Sequence, residues 1–180
     1  LPGFSGAAEV KYVRNNHWGI LIQGGLSLNP IDVGYLGYQK VQADPFLDDV
    51  YIRSDPFKII HLVAGPSYLK RIGKPFLLEG QLMAGVFFAS TPYQLYKAEY
   101  ALIGPVNFEI TASRDNCFAY GAGLRLIYEF NTQYQFGVAT QYMQSRAEFG
   151  FLIDQGIRTD VRNVSQWTSS FTLILKLYPK

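Results

Sequence analysis

The chain lacks cysteine pairs, long apolar runs and amphipathic helical patterns. Its 180 residues include one cysteine, Cys117, so no disulfide can form within them. Although 48% of the residues are hydrophobic, no apolar run approaches the roughly 20 residues that a membrane-spanning helix needs. A sustained apolar stripe at i, i+3, i+4 and i+7, the mark of an amphipathic helix, is also missing. If the chain crosses a membrane, it therefore does so with strands.

The chain also has little excess of either positive or negative charge. The formal net charge is +2, and no run of Lys or Arg suggests binding to a phosphate backbone, so we expect no nucleic-acid partner. The first residues, Leu1-Pro2-Gly3-Phe4, have neither the basic region nor the apolar core of a signal peptide. We therefore interpret the chain as processed or truncated.

The dominant pattern is a strict alternation of apolar and polar positions. Every second residue from Phe76 to Phe88 is apolar or glycine, whereas Glu79 and Gln81 lie at positions between them. A period of two predicts strands. The same split recurs over 4–14, 18–28 and 118–130, and more weakly over 60–68, 134–142 and 170–177. One face of these strands is so uniformly apolar that the pattern favours lipid outside and a polar interior.

The segments between the predicted strands alternate in length. Short turns are expected at Asn15-Asn16, at 72–75 and at Asn131-Thr132, and long polar loops at 29–56, 90–116 and 154–164. Short turns on one side and long loops on the other are typical of outer-membrane barrels. Aromatic residues beside the short turns predict an interfacial girdle. It would consist of Tyr12, Trp18, Tyr68, Phe76, Tyr128, Phe130 and Tyr134.

Together these features predict an all-β fold, a transmembrane antiparallel up-and-down β-barrel of about eight strands. We expect residues 1–180 to form a single outer-membrane β-barrel domain. Seven strands are visible, and because such barrels have an even number of strands, we expect the eighth upstream of Phe4. Two alternatives are that part of 93–112 supplies this strand or that a partner fills the gap.

Two sequence segments, a hairpin and an alternating stretch, carry a resemblance to a known family. The segment from Ala8 to Trp18 and the stretch Ala119-Tyr120-Gly121-Ala122-Gly123-Leu124-Arg125-Leu126 make the chain similar to small OmpA/OmpX-like outer-membrane proteins. The resemblance is strongest to the outer membrane protein beta-barrel families of Bacteroidota. It implies a location in the bacterial outer membrane, surrounded by lipid and lipopolysaccharide. Members often end on an aromatic residue, and here Tyr178 is followed by Pro179-Lys180.

The inward positions carry equal numbers of acids and bases, which predicts a neutral network of ion pairs. An eight-stranded barrel is just wide enough inside for side chains, and buried charges are costly unless they are paired. We therefore interpret these residues as filling the lumen; a narrow ion or proton pathway is the alternative. The predicted network is Glu9, Lys11, Glu79, Arg125, Glu129 and Lys176.

Catalytic and metal-binding motifs are not apparent. His17 and His61 are too far apart in sequence to suggest a metal site, and neither precedes a hydroxyl that it could activate. The acidic residues of the first long loop fit no calcium-loop spacing and are interpreted as solvated. They are Asp44, Asp48, Asp49 and Asp55. We expect no catalytic residue, cofactor or metal.

The functional expectation is a non-enzymatic outer-membrane protein. It would act as a scaffold or as an accessory subunit of an envelope complex, contacting other envelope proteins through 29–56 and 90–116. Two alternatives remain open. A lipid-modifying enzyme barrel would need a polar catalytic cluster, and a soluble lipocalin-like carrier would turn its apolar face inward around a ligand.

Overall fold

A computed structural model describes residues 2–15, 17–131, 133–153 and 156–176. It confirms the predicted all-β class, with one helix in addition. The elements are β1 (Phe4–Arg14), β2 (Trp18–Asn29), α1 (Val33–Ala43), β3 (Leu47–Ser54), β4 (Phe57–Arg71), β5 (Phe76–Ser90), β6 (Gln94–Tyr100), β7 (Gly104–Ile110), β8 (Arg114–Glu129), β9 (Tyr134–Ile153) and β10 (Gly156–Leu175).

The larger sheet has seven strands in the order β1-β2-β4-β5-β8-β9-β10. All neighbours are antiparallel. The sheet is strongly curled, because Arg125 on β8 reaches Glu9 on β1 with an N–O distance of 2.8 Å. Four inter-strand spacings of about 4.8 Å would keep these strands roughly 19 Å apart in a flat sheet. The seven predicted strands are thus the seven strands of one curled, antiparallel sheet.

The two faces of this sheet differ in polarity. Leu82, Leu124 and Leu173 lie on the convex side, exposed to 62%, 57% and 64%. Glu79 and Arg125 lie on the concave side, exposed to 0% and 5%. The apolar face therefore points outward and the polar face inward, as the alternation predicts.

The concave side also holds an apolar core. It occupies mainly the half of the interior beside the long connections, whereas the charged side chains occupy the half beside the short turns. Its buried members are Leu21, Ile59, Val63, Met83, Phe87, Ala89, Cys117, Ala119, Met143, Ala147, Phe149 and Val164.

The long connections predicted at 29–56 and 90–116 are present, but both segments have regular structure rather than being irregular polar loops. Helix α1 begins after Asp32, whose side chain accepts a hydrogen bond from Tyr35 N at 2.9 Å. Strands β3, β6 and β7 form a separate three-stranded sheet. The helix was missed because Gly37 is its one buried residue, so it has no broad apolar stripe. The alternative in which 93–112 supplies an eighth strand is wrong, since β6 and β7 pair with β3 and with each other.

The third predicted loop, 154–164, is wrong over 156–164. Strands β9 and β10 pair continuously from Tyr134–Leu175 to Ile153–Gly156. On β10 this part carries polar residues on both faces, with Arg158 and Arg162 on one and Thr159 and Asn163 on the other, so the alternation is lost although the hydrogen-bond ladder continues. On β9 the alternation continues with its polarity reversed, because Ala147 and Phe149 are buried whereas Arg146 and Glu148 are exposed. Residues 154 and 155 lie outside the described part of the chain.

The connections between the two sheets are tied together by backbone contacts. Thr91 N donates to Ser113 O at 2.8 Å, and Ser113 N donates to Thr91 Oγ1 at 2.8 Å. Asp55 N donates to Tyr93 O at 3.0 Å. The segments that connect the larger sheet to the smaller one are therefore hydrogen-bonded to each other.

The predicted short turns are present within the described residues. Asn15 has φ of +54°, a conformation that asparagine tolerates better than most residues, and the Asn131 carboxamide accepts from Gln133 N and Tyr134 N. Asn16 and Thr132 lie outside the described residues, as do Tyr178 and the rest of the C terminus. Within the described ranges, no helix combines the length and apolar character needed to cross a membrane.

Candidate functional site

Four charged side chains form an ion-pair cluster across the interior. Glu79, on β5, accepts from Lys11 Nζ at 2.8 Å and from Arg125 Nη1 at 3.3 Å. Arg125 also binds Glu9 with both terminal nitrogens, at 2.9 and 2.8 Å. This two-point contact is the strongest geometry available to a guanidinium and a carboxylate. The four groups balance two negative against two positive charges.

A second cluster lies beside the short turns. Glu129 accepts from Lys176 Nζ at 2.8 Å and from Arg71 Nη2 at 2.7 Å. Its third partner is the Gln135 amide, at 2.9 Å. Sequence reasoning named Glu129 and Lys176 but missed Arg71 and Gln135. Both missed residues have odd residue numbers, as do the other inward residues of β4 and β9, and this alternation could have revealed them.

Strand register explains why these residues meet. Glu79 is directly opposite Arg125 in the β5–β8 ladder, and Glu129 is opposite Gln135 in the β8–β9 ladder. Same-face neighbours on adjacent strands are within reach of long side chains. Glu9 and Lys11 come from β1, which three intervening strands separate from β8, and they reach the cluster because of the curl. All six residues of the predicted network thus take part in ion pairs.

His61 lies deeper in the interior, on β4. Its ring is 6.0 Å from that of Phe87, centroid to centroid. A Cβ placed on Gly25 would lie 2.6 Å from its Cε1 atom. Among the described residues, neither ring nitrogen has a hydrogen-bond partner. This imidazole thus lies beside an aromatic ring and a glycine, and no hydroxyl among the described residues is hydrogen-bonded to it.

The remaining titratable candidates act locally. His17 Nδ1 is 2.8 Å from Asn15 O, within the first turn. Asp44 accepts from Phe46 N at 3.1 Å, and Asp49 accepts from Val50 N at 2.8 Å. Within the ranges that the structure describes, no three His, Cys, Asp or Glu side chains converge as metal ligands would.

The convex side forms an apolar band with aromatic residues beside the short turns. All seven residues of the predicted girdle are exposed there. Four of them form two pairs: Trp18 packs edge-on against Tyr68 with ring centroids 4.9 Å apart, and Phe76 lies 5.5 Å from Tyr128.

Outward charges flank this band rather than interrupting it. On β4, Lys58 and Lys70 are exposed at the two ends, and the outward residues between them, from Ile60 to Tyr68, are apolar apart from the Tyr68 hydroxyl. With a rise of about 3.3 Å per residue and a strand tilt near 40°, the stretch 60–68 is roughly 20 Å tall and the two lysines are roughly 30 Å apart. These values bracket the roughly 25 Å apolar band of a transmembrane barrel.

Fold and site together define an all-β protein whose curled antiparallel sheet is charged inside and apolar outside. Comparisons of the chain with protein families, with curated proteins and with solved structures found no match.

Proposed function

We propose that this protein is a small bacterial outer-membrane β-barrel whose lumen is filled by ion pairs. The observation that carries the proposal is the reversed polarity of the larger sheet. Glu79 is fully buried between two cations, whereas Leu82, three residues later, is 62% exposed. In water this arrangement would expose a very large apolar surface, which monomeric soluble proteins avoid. Surrounding lipid removes that cost.

The filled interior favours a scaffold over a pore. Glu9 and Arg125 bridge the interior from opposite sides, and Lys11 and Glu79 cross it beside them. Each charge has a partner at hydrogen-bond distance, so moving one aside would leave another unpaired and poorly solvated. A general diffusion channel would need this cluster to open.

Contacts with other proteins would be made by the smaller sheet and α1. Aromatic and aliphatic side chains are exposed there, including Tyr35, Tyr38, Tyr51, Leu102 and Ile103. Because 29–56 and 90–116 fold as one unit on the side away from the short turns, this unit would face the cell exterior in a barrel of the usual orientation. We propose that it is the part that makes the protein an accessory subunit of an envelope complex.

The membrane proposal can be tested with the two tryptophans. Trp18 and Trp167 are the only tryptophans in the chain, and both point outward. After reconstitution into vesicles whose acyl chains carry bromine, their fluorescence should be strongly quenched, and the single-tryptophan variants Trp18→Phe and Trp167→Phe should assign the effect. Vesicles of unbrominated lipid are the control. A protein that stays dispersed without detergent and keeps its full fluorescence would refute the proposal.

A further inference from the structure

The end of the larger sheet beside the short turns carries an excess of positive charge. Its first two connections, 12–19 and 69–78, contain no acidic residue. Their lysines and arginines are Arg14, Lys70, Arg71 and Lys74. The opposite end of the molecule has the reverse bias, because 29–56 contains five aspartates against one lysine and one arginine. The two ends of the sheet therefore differ in charge as well as in the length of their connections.

Three of these four cations are exposed and have no carboxylate partner. Arg71 is ion-paired with Glu129, whereas no carboxylate in the described part of the chain lies within salt-bridge distance of the other three. We call these three exposed residues the basic rim; they are Arg14, Lys70 and Lys74. Because no described residue neutralises the basic rim, its charge is available to a negative group outside the protein.

The basic rim lies directly beyond the aromatic girdle. Arg14 is opposite Trp18 in the β1–β2 ladder, and Trp18 is opposite Tyr68 in the β2–β4 ladder. Lys70 is the next outward residue after Tyr68 and is opposite Leu78 of β5. Arg14 and Lys70 are thus on either side of the Trp18–Tyr68 pair, on one continuous outward surface.

The position of Lys70 matches the depth of lipid phosphates. With a rise of about 3.3 Å per residue and a strand tilt near 40°, Lys70 lies roughly 5 Å beyond Tyr68 along the barrel axis. The headgroup layer of a bilayer is about 5–8 Å thick on each side of the hydrocarbon core, and tyrosine and tryptophan are enriched at its inner boundary. In the proposed membrane, phosphate groups are therefore level with the basic rim. An acidic soluble partner would not require this alignment with the edge of the apolar band.

We propose that the basic rim binds the phosphates of anionic phospholipid headgroups and concentrates these lipids beside Trp18. The inference rests on the proposed membrane location. The Arg14 guanidinium can donate two hydrogen bonds to one phosphate, and the two lysine ammonium groups act as point charges. Each cation near an anionic bilayer surface strengthens the attraction about fivefold.

The two tryptophans serve as local reporters of lipid composition. Trp18 adjoins the basic rim, whereas Trp167 lies eight residues before the end of β10, roughly 20 Å along the axis from the short turns. The single-tryptophan variants Trp167→Phe and Trp18→Phe are reconstituted in phosphatidylcholine vesicles. A fixed fraction of the lipid carries bromine on its acyl chains and has either a phosphatidylglycerol or a phosphatidylcholine headgroup. Comparing the quenching by the two brominated lipids gives the local preference for the anionic headgroup at each tryptophan.

The proposal expects brominated phosphatidylglycerol to be enriched about fivefold beside Trp18 and not beside Trp167. Combining Arg14→Gln, Lys70→Gln and Lys74→Gln should remove the enrichment. The matched control Lys97→Gln, at an exposed lysine of the smaller sheet, should retain it. For the unsubstituted rim, raising NaCl to about 1 M shortens the Debye length to about 3 Å and should weaken the enrichment.

Three results would overturn the proposal: equal quenching of Trp18 by both lipids, enrichment that survives the triple substitution, or enrichment that inorganic phosphate removes at constant ionic strength. The last result would identify the rim as a site for free phosphate. Quenching by neither lipid at either tryptophan would refute the membrane location and this inference with it. Failure of the rim alone and failure of the membrane proposal therefore give different results.

Discussion

The two sheets of this protein have opposite polarity. In the half of the larger sheet beside the short turns, the ion-paired charges point inward and the outward face is apolar, as Glu79 and Leu82 illustrate. In the smaller sheet Ile52 and Tyr96 are buried, while Asp48 and Lys97 are exposed. The smaller sheet is therefore organised like a water-soluble protein, and the larger one like a protein surrounded by an apolar phase.

This contrast shows that alternation of apolar and polar residues does not by itself say which face of a sheet is buried, because that depends on the surrounding medium. Both sheets bury one face of alternating strands, and in the proposed barrel the buried face differs because the surroundings differ. Under that proposal, a single chain with both arrangements would place one sheet in each medium.

Glu79→Gln should destabilise the larger sheet by about 3–5 kcal/mol, because Lys11 loses its carboxylate partner in a buried site. The matched control is Glu99→Gln on the smaller sheet, an exposed residue that should change stability by less than about 0.5 kcal/mol. Urea unfolding midpoints in detergent give both values. Adding Lys11→Met to the Glu79→Gln variant should recover part of the loss. Equal effects of the two Glu→Gln changes would mean that the interior charges are not sealed from water.

Leu82→Arg should cost about 2–4 kcal/mol, the penalty for an arginine on the lipid face of a barrel. Leu102→Arg, at an 80% exposed position beside the smaller sheet, should be close to neutral. Folding yield into vesicles and unfolding midpoints measure both. A harmless Leu82→Arg would indicate that the outer face contacts water.

Gly25→Ala should cost about 1–3 kcal/mol through overpacking, because the new Cβ would lie 2.6 Å from His61 and 2.8 Å from Gly6 O. Gly24→Ala is its control on the opposite face, where the nearest atom is 3.8 Å away. That change should be neutral or slightly stabilising. The pair compares inward and outward packing at neighbouring positions in thermal unfolding. Reversal of the order would mean that β2 faces the other way.

Alkaline pH should loosen the smaller sheet slightly. Burial raises the pKa of Tyr96 above its ordinary value near 10. The folded form then retains the phenol proton more strongly than the unfolded form, so stability falls as pH rises above about 10. Limited proteolysis within 94–110 between about pH 8 and 11 measures this effect. Tyr96→Phe should reduce the pH dependence, and an identical profile for both proteins would contradict the assignment.

Strand positions and facing could be read from the sequence wherever one face is uniformly apolar. Phe76–Phe88 shows this, because a period of two together with an unbroken apolar set leaves one way to orient the strand. Helix α1 could not be found this way, since it buries little beyond Gly37. The distal part of β10 also escaped, because both of its faces carry polar residues such as Arg162 and Asn163.

For the ion-pair clusters, the alternation of odd and even residue numbers along each strand predicted which charges point inward, but not which of them pair. The pairing of Glu79 with Arg125 depends on register, which is set by the ladder between β5 and β8. The pairing of Glu9 with Arg125 depends on curvature, which no local pattern encodes.

By itself, the sequence determined the seven strands of the larger sheet, their two faces and six of the inward charges, because alternation is a local property of an extended chain. Only the tertiary structure decided the partners of those charges, the separate three-stranded sheet and the common direction of the two edge strands. The pairing of Glu9 with Arg125 depends on how far the sheet curls, and curl is the sum of twist and packing over all seven strands rather than the choice of any one residue.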